Sequence, residues 1–141
     1  MLPKILIAAP TSEKKNYCFL DWICNVKKID YPSEKMEVML ADNSYTYKYI
    51  EYLRSLGIKT VHDEKQEKTP IEYICESHNA IRDYFLKKDF DYLFHLESDV
   101  MVESQTLRTL LFHSIEKNLP VVSASYFKYN TMDTTLLSQQ N

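Results

Sequence analysis

Residues 92–102 read YLFHLESDVMV and place two carboxylates, Glu97 and Asp99, between two apolar flanks. The apolar run that ends at Leu96 predicts a strand, and the polar residues after it predict a loop. Carboxylates held close together repel each other unless a cation lies between them, and Mg²⁺ or Mn²⁺ prefers such hard oxygen ligands. We therefore interpret Glu97 and Asp99 as ligands of a divalent cation. The alternative is an ordinary acidic turn that caps the helix after Ser104.

Short apolar segments alternate with helical patterns on both sides of this motif. The predicted strands are 4–9, 37–41, 59–62, 92–96 and 120–124, and the predicted helices are centred on 19–26, 50–56, 69–88 and 107–114. This alternation predicts an α/β fold with a Rossmann-like, mostly parallel sheet and helices on both faces.

Two helix ends carry specific signals. Gly57 follows the second helical pattern and suits the left-handed position just after a helix. Thr69, Pro70 and Glu72 form the pattern of a capping box with proline in the first helical position. In the helix that follows, His78 lies on the apolar stripe, and we expect it to be packed in the core rather than to bind a ligand.

Composition excludes several classes of function. The chain has 141 residues, is 45% hydrophobic and carries a net charge of −3, which fits one compact soluble domain. This charge balance gives no reason to expect nucleic-acid binding, and no apolar run reaches transmembrane length, so a cytoplasmic location is expected. The three cysteines, which we expect to be small buried residues, show no CxxC spacing, and this argues against a disulfide scaffold or a zinc knuckle.

The chain has a single glycine, Gly57, and this count excludes more classes of binding motif than any other feature of the composition. A dinucleotide-binding GxGxxG, a Walker P-loop, an EF-hand loop and a nucleophile elbow all need glycine at fixed positions. A phosphorylated ligand of this protein would therefore be bound without a glycine-rich loop.

Polar residues follow each predicted strand, and the carboxyl ends of parallel strands meet at one edge of the sheet, where ligands bind. They are Pro10, Thr11, Ser12 and Glu13 after the first strand, Asp42, Asn43 and Ser44 after the second, His62 and Asp63 after the third, and Glu97, Ser98 and Asp99 after the fourth. Lys68 lies just before a helix N-terminus at this edge, where a cation favours diphosphate binding. A solvated loop lysine is the alternative reading of Lys68.

The order of these motifs resembles that of nucleotide-diphospho-sugar transferases with the GT-A fold, especially the inverting, family-2-like group. Ala9-Pro10-Thr11 is similar to the end of their first strand, and Ala41-Asp42-Asn43-Ser44 to their aspartate cluster. Ser77-His78-Asn79-Ala80-Ile81 occupies the place of their Asn-containing helix, and Glu97-Ser98-Asp99 that of their DxD motif. The similarity covers about residues 4–125. Glu replaces the first Asp of the motif, and its longer side chain can still reach a ribose or a metal-bound water.

The resemblance implies a metal-dependent glycosyltransferase that binds a nucleotide-diphospho-sugar donor and transfers the sugar to an unidentified glycan, protein or lipid acceptor. Thr11 and Ser12 would line the base pocket, and Asp42 would accept a hydrogen bond from the nucleobase. Glu97 and Ser98 would face the ribose, and Asp99 would ligate the Mn²⁺ or Mg²⁺ that bridges the diphosphate. Together with Lys68, the predicted nucleotide-binding residues are Pro10, Thr11, Ser12, Asp42, Asn43 and Ser98, and the predicted metal ligands are Glu97 and Asp99.

The predicted domain organisation is a nucleotide-sugar-binding domain over residues 1–127 and a polar C-terminal segment over 128–141. This segment is expected to be weakly ordered or to begin an acceptor-binding region. Asp133 is the only carboxylate beyond Glu116, no motif supports it, and the catalytic base is unassigned. Two alternatives stay open: a sugar-phosphate nucleotidyltransferase, which usually has a glycine-rich loop after the first strand, and a non-catalytic nucleotide-sugar-binding module.

Overall fold

The computed structural model describes residues 1–62 and 68–125. Its strands are β1 (Ile5–Thr11), β2 (Met36–Asp42), β3 (Lys59–His62) and β4 (Tyr92–His95). Its α-helices are α1 (Asn16–Lys27), α2 (Tyr47–Ser55), α3 (Pro70–Lys87) and α4 (Thr106–Glu116). The four strands form a parallel sheet in the order β3-β2-β1-β4. The predicted α/β class is thereby confirmed.

One face of the sheet packs against α3. Leu6 and Ala8 of β1 form a buried cluster with Met39 of β2 and Ile81 of α3. Val61, Tyr84, Phe85 and Phe90 surround this cluster and complete it. Because neighbouring residues of a strand point to opposite faces, β1 contributes its alternate side chains to the other face.

The other face is covered by α1 and α2. Ile5 and Ile7 of β1 are completely buried there. Phe19 and Trp22 of α1 are also buried, with at most 1% of their surface exposed. The Phe19 ring meets the Tyr49 ring of α2 edge-on, with 6.5 Å between the ring centroids. With both faces covered, β1 is the most protected strand, and its carboxyl end lies where the chain's polar loops meet.

Both predicted helix-end signals are confirmed. Gly57 has a φ of 76° directly after the end of α2, a conformation that costs glycine little and most other residues more. Thr69 Oγ1 accepts a hydrogen bond from the Glu72 backbone N–H at 3.3 Å, and the Thr69 N–H donates to Glu72 Oε2 at 2.7 Å. This capping box fixes the N-terminus of α3, which lies at the edge of the sheet formed by the carboxyl ends of the strands.

The predicted fifth strand over 120–124 is wrong. Residues 120–125 contain no strand, and the Val121 side chain is 83% exposed. Pro120 has no N–H to donate to a strand ladder, and Asn118, two residues earlier, adopts a positive φ of 49°. Two valines favour a strand only when their side chains can pack against a neighbouring surface. Their intrinsic preference for the strand conformation was therefore not sufficient here.

The apolar stripe predicted along α3 is also wrong in its first half. Ile71, Ile74, Cys75 and His78 are exposed, and the packing on the sheet begins at Ser77 and Ile81. Two of the three cysteines predicted to be buried, Cys24 and Cys75, are exposed as well. The apolar residues that α3 contributes to the buried cluster, Ile81, Tyr84 and Phe85, all come from its second half.

Residues Met1–Arg108 form one compact unit, and a second unit begins at Thr109. The first contains the whole sheet, α1 to α3 and every predicted site residue. The predicted domain boundary after residue 127 and the segment 128–141 lie outside the described residues and stay predictions. Among the residues that the structure describes, none of the helices combines the length and apolar character needed to cross a membrane.

Candidate functional site at the carboxyl edge of the sheet

Glu97 and Asp99 converge on one positive charge, the ammonium group of Lys15. Lys15 Nζ lies 3.0 Å from Asp99 Oδ2 and 3.6 Å from Glu97 Oε2. Lys15 belongs to the short segment between β1 and α1 and comes immediately before α1. The acid pair that it contacts therefore lies near the carboxyl end of β1. The sheet order reverses here, because β1 pairs with β2 on one side and β4 on the other. The two carboxylates therefore share one cation position, which fits a divalent cation in place of the ammonium.

Backbone and buried side-chain hydrogen bonds hold the loop that carries these acids. The Leu96 N–H donates to the Ala8 carbonyl at 3.2 Å, and Ser98 Oγ donates to the Pro10 carbonyl at 3.1 Å. Farther along, the Asn25 side chain makes two hydrogen bonds of 2.9 Å with the backbone of Val102. The loop is thus fixed to β1 and α1, and the two carboxylates are oriented before any ligand binds.

Glu97 also has a histidine partner. Its Oε1 lies 2.9 Å from His95 Nε2, and this hydrogen bond, assisted by the charge of Lys15, lowers the pKa of Glu97 against the opposing effect of burial. The His95 ring stacks on the His78 ring, with 4.9 Å between the centroids. The prediction that His78 is a core residue is therefore wrong: it is exposed and lies beside the motif strand.

Asp42 is buried and already fully engaged. Its Oδ1 accepts hydrogen bonds from the Ser44 N–H at 3.1 Å and the Ser44 hydroxyl at 2.5 Å, and its Oδ2 lies 2.9 Å from His62 Nδ1. The Asp42 side chain has 0% exposure. In this structure Asp42 orders the residues around it, and because its side chain is fully buried, a direct contact with a nucleobase requires that neighbouring side chains move away.

Ser44 links the loops that follow β1 and β2. Its hydroxyl oxygen accepts a hydrogen bond from the Glu13 N–H at 2.7 Å while the hydroxyl donates to Asp42. The Asn43 N–H donates to the Thr11 carbonyl at 3.0 Å and completes the connection. This pair of contacts keeps the two loops in one fixed arrangement.

Replacing Ser44 by alanine is expected to lower the free energy of unfolding by about 1–3 kcal/mol, because it leaves the Glu13 N–H without its partner and removes the hydroxyl hydrogen bond to the buried Asp42 carboxylate. Ser55→Ala is the matched control. Ser55 is exposed and donates only to the Tyr52 carbonyl, so its loss is expected to cost no more than about 0.5 kcal/mol. Urea denaturation of both variants measures the difference. Equal stabilities would mean that Ser44 does not hold the two loops together.

A cleft of ≈ 320 Å³ opens among the loops that follow β1 and β2 and the start of α3. It is lined by residues after β1 (Ser12, Glu13, Lys14), after β2 (Asn43, Ser44, Tyr45) and at the start of α3 (Lys68, Pro70, Tyr73, Ile74). Lys68 forms an ion pair with Glu76, and its ammonium lies 6.0 Å from the centre of the Tyr73 ring. The cleft thus combines aromatic and apolar walls with lysine side chains, a combination suited to an anionic ligand that carries a ring.

The predicted site residues fall into three groups. Ser12, Asn43 and Lys68 line the cleft. Pro10, Thr11, Asp42 and Ser98 are buried at the strand ends next to it, and Glu97 and Asp99 form the acid pair. Sequence reasoning missed Lys15 and His95, although each had a signal. Two neighbouring carboxylates require a cation, and Lys15 lies in the loop after β1, while His95 shares a strand face with Glu97 by alternation.

Solved structures with this fold are known. The chain is similar to S. aureus TarS in complex with UDP, at 18% identity and a TM-score of 0.58, over 82% of this chain and 33% of that chain. It is also similar to the mannosyltransferase PcManGT from Pyrobaculum calidifontis in complex with GDP-Man and Mn²⁺, at 15% identity and a TM-score of 0.59, over 79% of this chain and 32% of that chain. No protein-family model and no curated protein sequence matches it.

Both of these proteins are GT-A-type glycosyltransferases. The chain therefore has the GT-A fold, as the order of its motifs indicated, and it spans about a third of the length of either protein. At such low identity the similarity establishes the fold alone.

Proposed function

We propose that this chain is the nucleotide-sugar-binding part of a metal-dependent glycosyltransferase, of the kind that transfers a hexose. One observation carries the proposal: the loops at the carboxyl edge of the sheet carry both a pair of carboxylates that share one cation position and a cleft lined by aromatic, polar and lysine side chains. A nucleoside diphosphate needs a pocket for its base and positive charge for its phosphates, and these two features supply both.

The described residues suit distinct parts of such a donor. Ser12 and Asn43 offer polar groups to the base and ribose within the cleft, and Tyr73 offers an aromatic wall on which a ring can stack. Lys14 and Lys68 bring positive charge to the same cleft. The buried groups beneath them, Asp42 among them, keep the loops in place and so position the donor.

Glu97 and Asp99 would hold the divalent cation, Mn²⁺ or Mg²⁺, through their carboxylate oxygens. When bound, the cation supplies Lewis-acid stabilisation of the charge that develops on the leaving diphosphate. Lys15 would then be released from the acid pair. The chain's own contribution is to fix the two carboxylates and the cleft relative to each other, which the hydrogen bonds from Ser98 and Leu96 accomplish.

The solved structures support the class of ligand. TarS has been crystallised with UDP and with UDP-GlcNAc, and PcManGT with GDP-Man and Mn²⁺. The three organic ligands are a nucleoside diphosphate and two nucleoside-diphosphate sugars. The acceptor, a glycan, protein or lipid, has no counterpart among the described residues.

A donor panel tests the proposal. The protein is titrated with UDP-GlcNAc and GDP-Man by calorimetry, with Mn²⁺ or with EDTA, and release of the nucleoside diphosphate is measured in parallel. We expect binding of at least one donor that depends on the cation, followed by release. Cation-dependent binding without release would favour a non-catalytic module, and pyrophosphate release from a nucleoside triphosphate and a sugar phosphate would favour a nucleotidyltransferase. If no nucleotide binds under any condition, the proposal is wrong.

A further inference from the structure

A second group of metal-ligand side chains lies on the other side of Glu97. His78 of α3, His95 of β4 and Glu97 each offer one ligand atom, and these atoms all lie within 4.8 Å of one another. The two imidazoles come from different elements of the fold, yet their rings stack with 4.9 Å between centroids and an interplanar angle of 29°. The sequence assigned neither histidine to a site.

His78 is oriented as a metal-binding histidine usually is. Its Nδ1 lies 2.8 Å from the Ile74 backbone carbonyl, one helical turn earlier. Because a carbonyl oxygen can only accept, Nδ1 must carry the proton, and Nε2 keeps its lone pair. Metal-ligating histidines commonly donate their second ring N–H to a carbonyl or carboxylate in this way, which fixes the tautomer and the ring orientation.

The two oxygens of Glu97 serve different partners. Oε1 lies 2.9 Å from His95 Nε2, whereas Oε2 faces Lys15 Nζ at 3.6 Å. The histidine side of Glu97 is therefore distinct from the side that faces Lys15 and Asp99, and each side has its own carboxylate oxygen.

We propose that His78, His95 and Glu97 form a binding site for a transition-metal ion such as Zn²⁺ or Co²⁺. Imidazole nitrogen suits these ions, whereas Mg²⁺ and Ca²⁺ prefer an all-oxygen set. Two histidines and one glutamate are a known three-ligand set for zinc, and they leave the fourth position open to water or to a substrate oxygen.

Only small side-chain movements are needed to close the site. Zinc lies about 2.0–2.1 Å from a histidine nitrogen, which requires ligand atoms roughly 3.4 Å apart in a tetrahedral site. The present limit of 4.8 Å is wider, and rotations of the partly exposed side chains would bring the ligand atoms closer. The ion would replace the hydrogen bond between His95 Nε2 and Glu97 Oε1, and the neutral His95 ring would then carry its proton on Nδ1, exchanged through solvent. His95 and Glu97 have side-chain exposures of 34% and 41%, so the ion can enter from solvent.

Metal binding without any nucleotide tests this inference. Tag-free protein is titrated with Co²⁺ while its visible absorption is recorded, and with Zn²⁺ by calorimetry, with Mg²⁺ as the hard-cation comparison. We expect Co²⁺ bound by the two histidines to absorb visible light, and this absorption to be lost on addition of Zn²⁺ and kept on addition of equimolar Mg²⁺. His78→Ala and His95→Ala are each expected to weaken the affinity at least about tenfold.

His113→Ala is the matched control, because His113 belongs to α4 and contributes no ligand to this cluster. Asp99→Asn is expected to retain Co²⁺ binding, which separates this site from the cation of the proposed transferase reaction. Circular dichroism checks that each variant is folded. Should His95→Ala fail to fold, His78→Ala decides alone, since His78 is an exposed helix residue. Absence of Co²⁺ binding, or the same affinity in wild type and His78→Ala, would overturn the inference.

Discussion

Replacing Asp99 by alanine is expected to reduce cation-dependent release of the nucleoside diphosphate by about 100-fold or more. The variant removes one of the two carboxylates that face the shared cation position, and Asp99 is the nearer of them to Lys15 Nζ, at 3.0 Å. A metal ion contributes several kcal/mol of charge stabilisation to a leaving group, and each 1.36 kcal/mol corresponds to a factor of ten in rate. Initial rates with Mn²⁺ at saturating donor measure the effect.

Asp83→Ala is a suitable control for this variant. Asp83 lies on the exposed surface of α3 and forms an ion pair with Arg82, its neighbour, so its removal changes the net charge equally without touching the site. The control is expected to keep the wild-type rate. If Asp99→Ala and Asp83→Ala release the diphosphate equally fast in Mn²⁺, the acid pair does not hold the cation used in the reaction.

Phe19→Ala is expected to lower the free energy of unfolding by about 3–5 kcal/mol, the usual cost of removing a buried aromatic side chain. Phe19 is 1% exposed and contacts the rings of Trp22, Tyr49 and Tyr52, which join α1 to α2 on one face of the sheet. A cavity there separates two helices as well as removing apolar contacts. Urea denaturation followed by circular dichroism measures the change.

The neighbouring residue provides the comparison. Leu20 lies on the same helix and is 57% exposed, so Leu20→Ala is expected to change the free energy of unfolding by no more than about 0.5 kcal/mol. Similar losses for both variants would mean that α1 is not packed against the sheet and α2 through the Phe19 face.

Most of the fold could be predicted because its signals are local. The apolar runs marked the ends of β1 to β3 within two residues, and the capping box and Gly57 marked two helix ends. The segment 120–124 failed because a strand also needs a neighbouring strand and a buried face, and neither can be read from two valines. The first half of α3 failed for a related reason: an apolar stripe indicates which face of a helix can be buried, not how far the sheet extends beneath it.

The candidate site was predicted at the level of its loops rather than its contacts. The rule for parallel sheets brought residues after β1, β2 and β4 together, and the structure places them at one edge. Which side chains form hydrogen bonds or ion pairs with each other depends on distances in three dimensions, and the spacing of residues along the sequence does not give these distances. Asp42 was expected to face a nucleobase, yet it is buried against Ser44 and His62, and its role in donor binding stays a prediction. His78 was predicted to be a core residue because it lies on the apolar face of α3. Helical periodicity does not show whether the sheet covers that part of the helix.

Lys15 has a further consequence for the stability of the loop that carries the acid pair. Sites in which carboxylates face each other without compensation often depend on their ion for folding. Here the chain supplies a counterion of its own, because the Lys15 ammonium lies 3.0 Å from Asp99 and 3.6 Å from Glu97 and offsets one of their two negative charges. The loop that carries the acid pair therefore depends less on a bound ion for its conformation than an uncompensated pair of carboxylates would.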